Sequence, residues 1–445
     1  LYFRWDEVAP LLRGMYARQQ DGFGQEQPQS ATESPTFHSE TMAVYPGDKN
    51  NLPYDVVVER LHIEEPEPPA PVTEPEKTFE EVLDEHPVSI QVNGQWETFS
   101  NAKAAEEASY EEYKANLRRN AKNFRITDEH LGEGGPKAKF QANVNAIRLL
   151  KELEAAGQQA SPEQQEVLSR YVGWGGLSDA FDPEKPAWAL EYAQLKELLT
   201  PEEYAAARSS TLNAHYTSPT VIQAIYEAVG RMGFETGNIL EPSMGVGNFF
   251  GMLPEEMRNS RLYGVELDPV SGRIAKQLYP KADITVGGFE TTDRRDFFDL
   301  AIGNVPFGQY QVNDKAYNKL NFNIHNYFFA KALDQVRPGG VVAFVTSRYT
   351  MDAKDSTVRR YLAQRAELLG TIRLPNDAFK KNAGAEVVSD IIFLQKRDRP
   401  LDIVPEWTQT GQTEDGFAIN RYFIDHPEMV LGRQEPVSTA HGMDY

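Results

Sequence analysis

Between residues 211 and 396, short apolar strands alternate with helical stretches, and this alternation leaves few folds open to the chain. Asn238-Ile239-Leu240, Leu262-Tyr263-Gly264-Val265, Leu300-Ala301-Ile302-Gly303 and Val341-Val342-Ala343-Phe344-Val345 read as strands. The stretches 219–232, 269–279 and 325–336 between them read as helices. Such βα alternation predicts an α/β fold with a parallel sheet covered on both faces. The segment 387–395, with Ile391, Ile392, Phe393 and Leu394, reads as a late strand and one arm of a hairpin. In sheets of this kind ligands bind at the carboxyl ends of the strands, near the switch in strand order. The residues that follow each strand are therefore the candidates for chemistry.

The chain before this region is organised differently. Residues 1–19 carry Val8, Leu11, Leu12, Met15 and Tyr16 at helical spacing. Residues 20–50 are polar, with little to bury, and a short β-like run follows at Tyr54–Val58. Glu64-Glu65-Pro66-Glu67-Pro68-Pro69-Ala70-Pro71 combines proline with like charges, both of which favour an extended linker. Residues 78–200 read as mostly helical. Ala146, Ile147, Leu149, Leu150 and Leu153 form one stripe, and Ser161-Pro162-Glu163 is a helix start. Gly173-Trp174-Gly175-Gly176 interrupts the pattern, with Trp174 either a packing anchor, the favoured reading, or a ligand contact. Gly132–Lys137 is a loop that serves either as a phosphate cradle or as a plain turn. The expected division is a helix and a partly disordered acidic segment over 1–77, a helical accessory region over 78–210, a catalytic domain over 211–400 and a C-terminal extension over 401–445.

Composition narrows the chemistry. The 445 residues include no cysteine, which excludes disulfides, thiolate metal sites and cysteine nucleophiles. The 8 histidines are scattered and suggest no metal site. No apolar run approaches the roughly 20 residues that span a bilayer. The first residues carry neither a start Met nor a signal pattern, so the chain is expected to be a fragment of something longer. The net charge of −21 argues against a phosphate-binding partner when averaged. By segment it does not: residues 201–400 hold 24 basic and 23 acidic side chains, and residues 1–90 hold 6 and 18. Arg294, Arg295, Lys315, Lys319, Arg348, Lys380 and Lys381 lie in or near the loops that follow the strands, where phosphates can run.

Three motifs stand at strand ends. In Leu240-Glu241-Pro242-Ser243-Met244-Gly245-Val246-Gly247, the two glycines let backbone approach a ligand, and an acid ahead of the turn suits an amine better than a phosphate. It is neither the dinucleotide fingerprint nor a P-loop. In Gly264-Val265-Glu266-Leu267-Asp268, an acid at a strand tip is placed to accept from ribose hydroxyls. In Asn304-Val305-Pro306-Phe307, the Asn304 side-chain carbonyl and the Val305 backbone carbonyl are suited to a planar NH2 group. Pro306 stiffens the loop and Phe307 offers a flat face.

This succession resembles the amino-methyltransferases that act on adenine N6 in DNA. The upstream His215-Tyr216-Thr217-Ser218-Pro219 is similar to the segment that closes over the methionine end of S-adenosyl-L-methionine, and its place ahead of the Gly-rich turn matches their gamma arrangement. Tyr171–Leu177, Asn304–Gly308, His325–Phe329 and Arg337–Gly340 together resemble the large methylase-helicase proteins of bacterial mobile elements and phages, over about residues 120–400. The resemblance implies a Rossmann-like class I S-adenosylmethionine-dependent sheet. It implies that Tyr216, Thr217 and Pro219 meet the carboxylate end of the cofactor, with Pro242 and Ser243 also against it. Glu241 orients the amino group, Gly245 and Gly247 make room, Glu266 binds the ribose, and Leu267 and Phe289 pack on the adenine. Asn304 and Val305 hold the target N6, with Phe307 and Phe379 on either side of the flipped base. The chain departs from the family's pattern twice. Val305 stands where a proline is usual, and Gly288 stands where an aspartate usually reads the cofactor's adenine amine.

The implied reaction is in-line methyl transfer to N6 of a flipped adenine in double-stranded DNA, in a bacterial cytoplasm, with no membrane or metal and with a helicase region in the same full-length protein. Two other readings stay open: a catalytically silent methylase-like module that binds DNA or a partner, and a glutamine N5-methyltransferase of proteins.

Overall fold

The computed structural model describes residues 87–92, 95–101, 103–105, 107–108, 121–211, 216–379, 387–439 and 442–444. The expected N-terminal helix, the Tyr54–Val58 run and the proline-rich linker lie outside the described residues, as do His215, Lys380 and Lys381.

The chain forms two compact units. One includes residues 153–159 and the antiparallel hairpin of β1 (Val88–Val92) and β2 (Gln95–Phe99). The mostly helical reading from residue 78 misses this hairpin. Its sequence signal is Asn93-Gly94 between alternating apolar and polar residues.

The other unit includes residues 122–152 and 160–445. It holds α1 (Pro136–Ala156) as far as residue 152, and this helix buries Val144, Ala146, Ile147 and Leu150 completely. Next come α2 (Pro162–Ser169), α3 (Ala189–Leu198) and α4 (Pro201–Ser210). Ser161 caps α2 reciprocally with Gln164, and Thr200 caps α4 with Glu203. Each pair satisfies two backbone donors that a helix start otherwise leaves open. Trp174 is the anchor the sequence suggests. It is 1% exposed and meets Phe140, Tyr171 and Phe181 edge-on, with ring centroids 6.0, 6.3 and 5.2 Å away. The buried Asn143 side chain fixes the loop around it, donating to the Gly173 carbonyl at 2.5 Å and accepting from the Val172 N–H at 2.8 Å. Lys137 takes the role of a brace rather than a phosphate ligand. It pairs with Glu191 at 2.6 Å and lies 3.9 Å over the Trp188 ring.

The sheet is built from β3 (Asn238–Glu241), β4 (Arg261–Glu266), β5 (Asp283–Val286), β6 (Phe298–Asn304), β7 (Val336–Ser347), β8 (Ala366–Leu374) and β9 (Ser389–Lys396). Their order is β5-β4-β3-β6-β7-β9-β8, parallel throughout except for β9, which pairs antiparallel with both neighbours. The helices α5 (Pro219–Arg231), α6 (Asn248–Gly251), α7 (Pro269–Leu278), α8 (Ile324–Gln335), α9 (Tyr349–Asp352) and α10 (Thr357–Arg365) connect them. Central strands covered on both faces need unbroken apolar runs. Leu300–Ile302, Val342–Val345 and Ile391–Leu394 supply them and are all no more than 1% exposed. The α/β expectation holds, and the 387–395 segment is indeed one arm of a hairpin, paired with β8. The chain reverses direction across the sheet between β3 and β6, which opens a crevice at their carboxyl ends.

The C-terminal segment packs on the same unit through β10 (Thr410–Gln412), β11 (Ala418–Asn420) and α11 (Arg421–Asp425). Arg373, at the end of β8, organises this edge. It grips Asp390 with two hydrogen bonds of 2.9 Å, pairs with Asp352 at 2.7 Å, and stacks 4.3 Å over the Phe423 ring. Its carbonyl accepts from the Leu431 N–H. Asn420 adds two donations, to the carbonyls of Met351 and Trp407.

Candidate functional site

The register of the sheet brings the three motifs together. Glu241 pairs with Gly264 and Glu266 with Val286, so the acids of the first two motifs end neighbouring strands. Asn304 ends β6 on the other side of the switch. The Ser243 hydroxyl donates to the Asn304 carbonyl at 3.0 Å and ties the first motif to the third. The result is one cleft of about 610 Å³ along the carboxyl ends of β5, β4, β3 and β6.

The Gly-rich turn is held from both ends. The Met244 N–H donates to the Val265 carbonyl, and the Gly245 N–H donates to Glu266 Oε2 at 2.7 Å. Gly245 has φ +56°, and a methyl there would lie 3.2 Å from the Tyr216 hydroxyl. Gly247 serves a different purpose from the one the sequence suggests. It is buried, with φ +85°, and a methyl there would lie 2.5 Å from the Tyr279 ring. Its smallness makes room for core packing beneath the turn, and it does not line the cleft.

Three acids crowd the cleft floor. The Glu241 carboxyl is 2% exposed, and its Oε2 has no hydrogen-bond partner among the described residues. Burial pushes its pKa well above the usual carboxylate range, and the charge of Glu266 pushes it further. Glu266 Oε1 accepts from the Asp268 N–H at 2.7 Å, so both its oxygens are oriented by backbone. Burial still raises its pKa to about 7. Asp268 caps α7 through Oδ1, while its buried Oδ2 has no hydrogen-bond partner among the described residues. An uncompensated buried acid is costly unless a ligand completes it. These orphaned oxygens suit a ligand that brings a cationic amine and hydroxyl donors, and a sulfonium amino acid joined to a ribose brings both.

The described candidates divide as follows. Tyr216, Thr217, Glu241, Pro242, Ser243, Gly245, Glu266, Leu267, Phe289, Asn304, Val305, Pro306 and Phe307 all line the cleft. Leu267 is 73% exposed. Val305 is buried, its N–H used by the Val345 carbonyl. Phe289 is 3% exposed, its ring tilted against Phe328 at 5.0 Å. Pro219 is buried at the first turn of α5 and Phe379 is 1% exposed; neither lines the cleft.

The cleft also has walls that the sequence reading did not assign. Tyr171 and Gly173 reach it from the Trp174 loop, and a methyl on Gly173 would lie 2.7 Å from the Tyr216 ring. The glycines flanking Trp174 were the visible signal, but nothing local says what approaches them. Glu290, Tyr310 and Phe328 complete the far side. His325 is 2% exposed, and burial lowers its pKa to about 4, so it is neutral.

Residues 275–379 match the Eco57I restriction-modification methylase family. The chain is 27% identical over 272 residues to the Defense against restriction protein B of Escherichia phage P1, covering 60% of this chain and 10% of that one. It is 39% identical over 92 residues to the Type II methyltransferase M.CvrRI of Paramecium bursaria Chlorella virus XZ-6E, covering 21% of this chain and 24% of that one. The chain thus spans a quarter or less of these two relatives. Among solved structures, a modification subunit of a type I restriction enzyme from Vibrio vulnificus YJ016 aligns at 12% identity and a TM-score of 0.36, over 70% of this chain and 95% of that one. No helix among the described residues is long and apolar enough to cross a membrane. The reversed seventh strand, the switch-point cleft and the match of residues 275–379 to the Eco57I restriction-modification methylase family together fit the sheet of a class I S-adenosylmethionine-dependent methyltransferase.

Proposed function

We propose that this chain transfers a methyl group from S-adenosylmethionine to N6 of an adenine flipped out of double-stranded DNA. The observation that carries the reading is the single cleft, which has Glu241 and Glu266 in one wall and Asn304–Phe307 in the next. When bound, S-adenosylmethionine supplies an electrophilic methyl on a sulfonium. Glu241 holds its amino group, Glu266 accepts from its ribose hydroxyls, and Leu267 covers its adenine. Asn304 and the Val305 carbonyl accept the two N–H bonds of the target amine, which aims the nitrogen lone pair into the cleft. Phe307 stacks on the flipped base, and the apolar walls exclude water. Removal of the amine's proton after transfer needs no dedicated base, because N6 becomes acidic once methylated.

The match to a tenth of the phage protein supports a methylase segment working inside a longer protein; a helicase region and DNA targeting supplied elsewhere in that protein, in a bacterial cytoplasm, complete the proposed reading. The test is incubation of the chain with methyl-labelled cofactor and mixed-sequence DNA, followed by nucleoside analysis. Label in N6-methyladenine is expected. The Asn304→Ala variant should lose it by at least about a hundredfold while still binding S-adenosylhomocysteine. Label in protein glutamine, or undiminished DNA label in the variant, would overturn the assignment.

A further inference from the structure

The cleft holds a fourth acid that the motifs do not explain. Going along the sheet from β6 to β5, the walls present Asn304, Glu241, Glu266 and then the turn Gly287–Glu290. A ligand whose ribose sits at Glu266 has its base carried on toward β5, over Leu267. The purine amine at that end needs an acceptor. Gly288 has no side chain to offer one, although its backbone, at φ −73° and ψ 153°, accommodates any residue. The space that a side chain would fill there is already taken: a methyl on Gly288 would overlap the carboxylate of Glu290, which folds back over the glycine. Glu290 lines the cleft, and its carboxylate acts electrostatically on the nearby Tyr327 without a hydrogen bond or ion pair among the described residues. It sits beside the buried Phe289, whose ring is fixed by Phe328 and Tyr327.

Resting on the cofactor reading above, we infer that Glu290 is the residue that selects adenine in the cofactor, its carboxylate accepting from the exocyclic amine in place of a side chain at position 288. Acidity there is suited to an amino-purine. A 6-oxo group in the same place would face the carboxylate with a lone pair.

The experiment uses the full chain and two ligands, S-adenosylhomocysteine and its analogue with hydrogen in place of the 6-amino group, titrated calorimetrically. The wild type should prefer the amino ligand by about ten- to a hundredfold, the range for a hydrogen bond to a charged group. Glu290→Ala should bring the two ligands to within about twofold of each other, chiefly by weakening the amino ligand. Gly288→Asp combined with Glu290→Ala should restore the preference, because it returns a carboxylate to the same space. Glu290→Ala and Glu290→Gln are both exposed-site changes, and unchanged thermal unfolding confirms the fold. A preference that survives in Glu290→Ala overturns the inference and leaves the cofactor reading standing. A wild type that binds neither ligand overturns both.

Discussion

Glu266 makes cofactor affinity depend on pH in a way that can be worked through from the geometry. Its carboxyl is oriented by the N–H groups of Gly245 and Asp268, yet burial raises its pKa to about 7. As a carboxyl with a pKa above its unfolded value, it favours the folded state most below pH about 4.5. That contribution fades as pH rises toward 7, because ionisation is then easier in the unfolded chain. A ribose diol donates to the ionised form, so binding draws on the ionised fraction only. At pH 8 that fraction is about nine-tenths and at pH 6 about one-tenth, so the Kd for S-adenosylhomocysteine should rise about tenfold between them, or about 1.4 kcal/mol. Calorimetry at pH 6, 7 and 8, in buffers of different ionisation enthalpy, reads both the affinity and the protons released, which should approach one from Glu266 near pH 6. Glu266→Gln should bind more weakly at pH 8 and flatten the profile. A wild-type affinity that does not change from pH 8 to pH 6, or an unaltered slope in Glu266→Gln, would refute the reasoning.

Two further changes probe the supports of the cleft. Gly173→Ala places a methyl at φ +67° and 2.7 Å from the Tyr216 ring, so it should cost about 1–2 kcal/mol in stability from backbone strain and lower cofactor affinity by displacing Tyr216; chemical denaturation and ligand titration measure the two effects. Arg373→Ala leaves the fully buried Asp390 unpaired, and urea unfolding should show a loss of about 3–5 kcal/mol, with earlier proteolysis of the segment after residue 400.

The legible parts of this molecule were those written in local pattern. Strand runs such as Val341–Val345 must be apolar because both sheet faces are covered, and acids at strand ends such as Glu241 and Glu266 stand out against those runs. The illegible parts depend on partners far along the chain. Gly245 and Gly247 look alike in sequence, yet one lines the ligand cleft and the other makes room for Tyr279. Phe379 has the right residue type for a base wall, but it is buried and is not among the described residues that line the cleft. The hairpin over Val88–Phe99 was carried by an Asn-Gly pair that the helical reading of its neighbours outweighed.

The sequence by itself determined the alternation of strands and helices, the acids and the asparagine at strand ends, and through them the kind of chemistry the chain can hold. Tertiary structure decided which of these groups share a wall. Only there does Tyr216 meet Gly173 from a loop more than 40 residues away, and only there does the Glu290 carboxylate lie in the space of a missing side chain at Gly288. The reason is physical. Side-chain type and period are local properties, whereas burial, close approach and the loss of a hydrogen-bond partner exist only once distant segments are packed together.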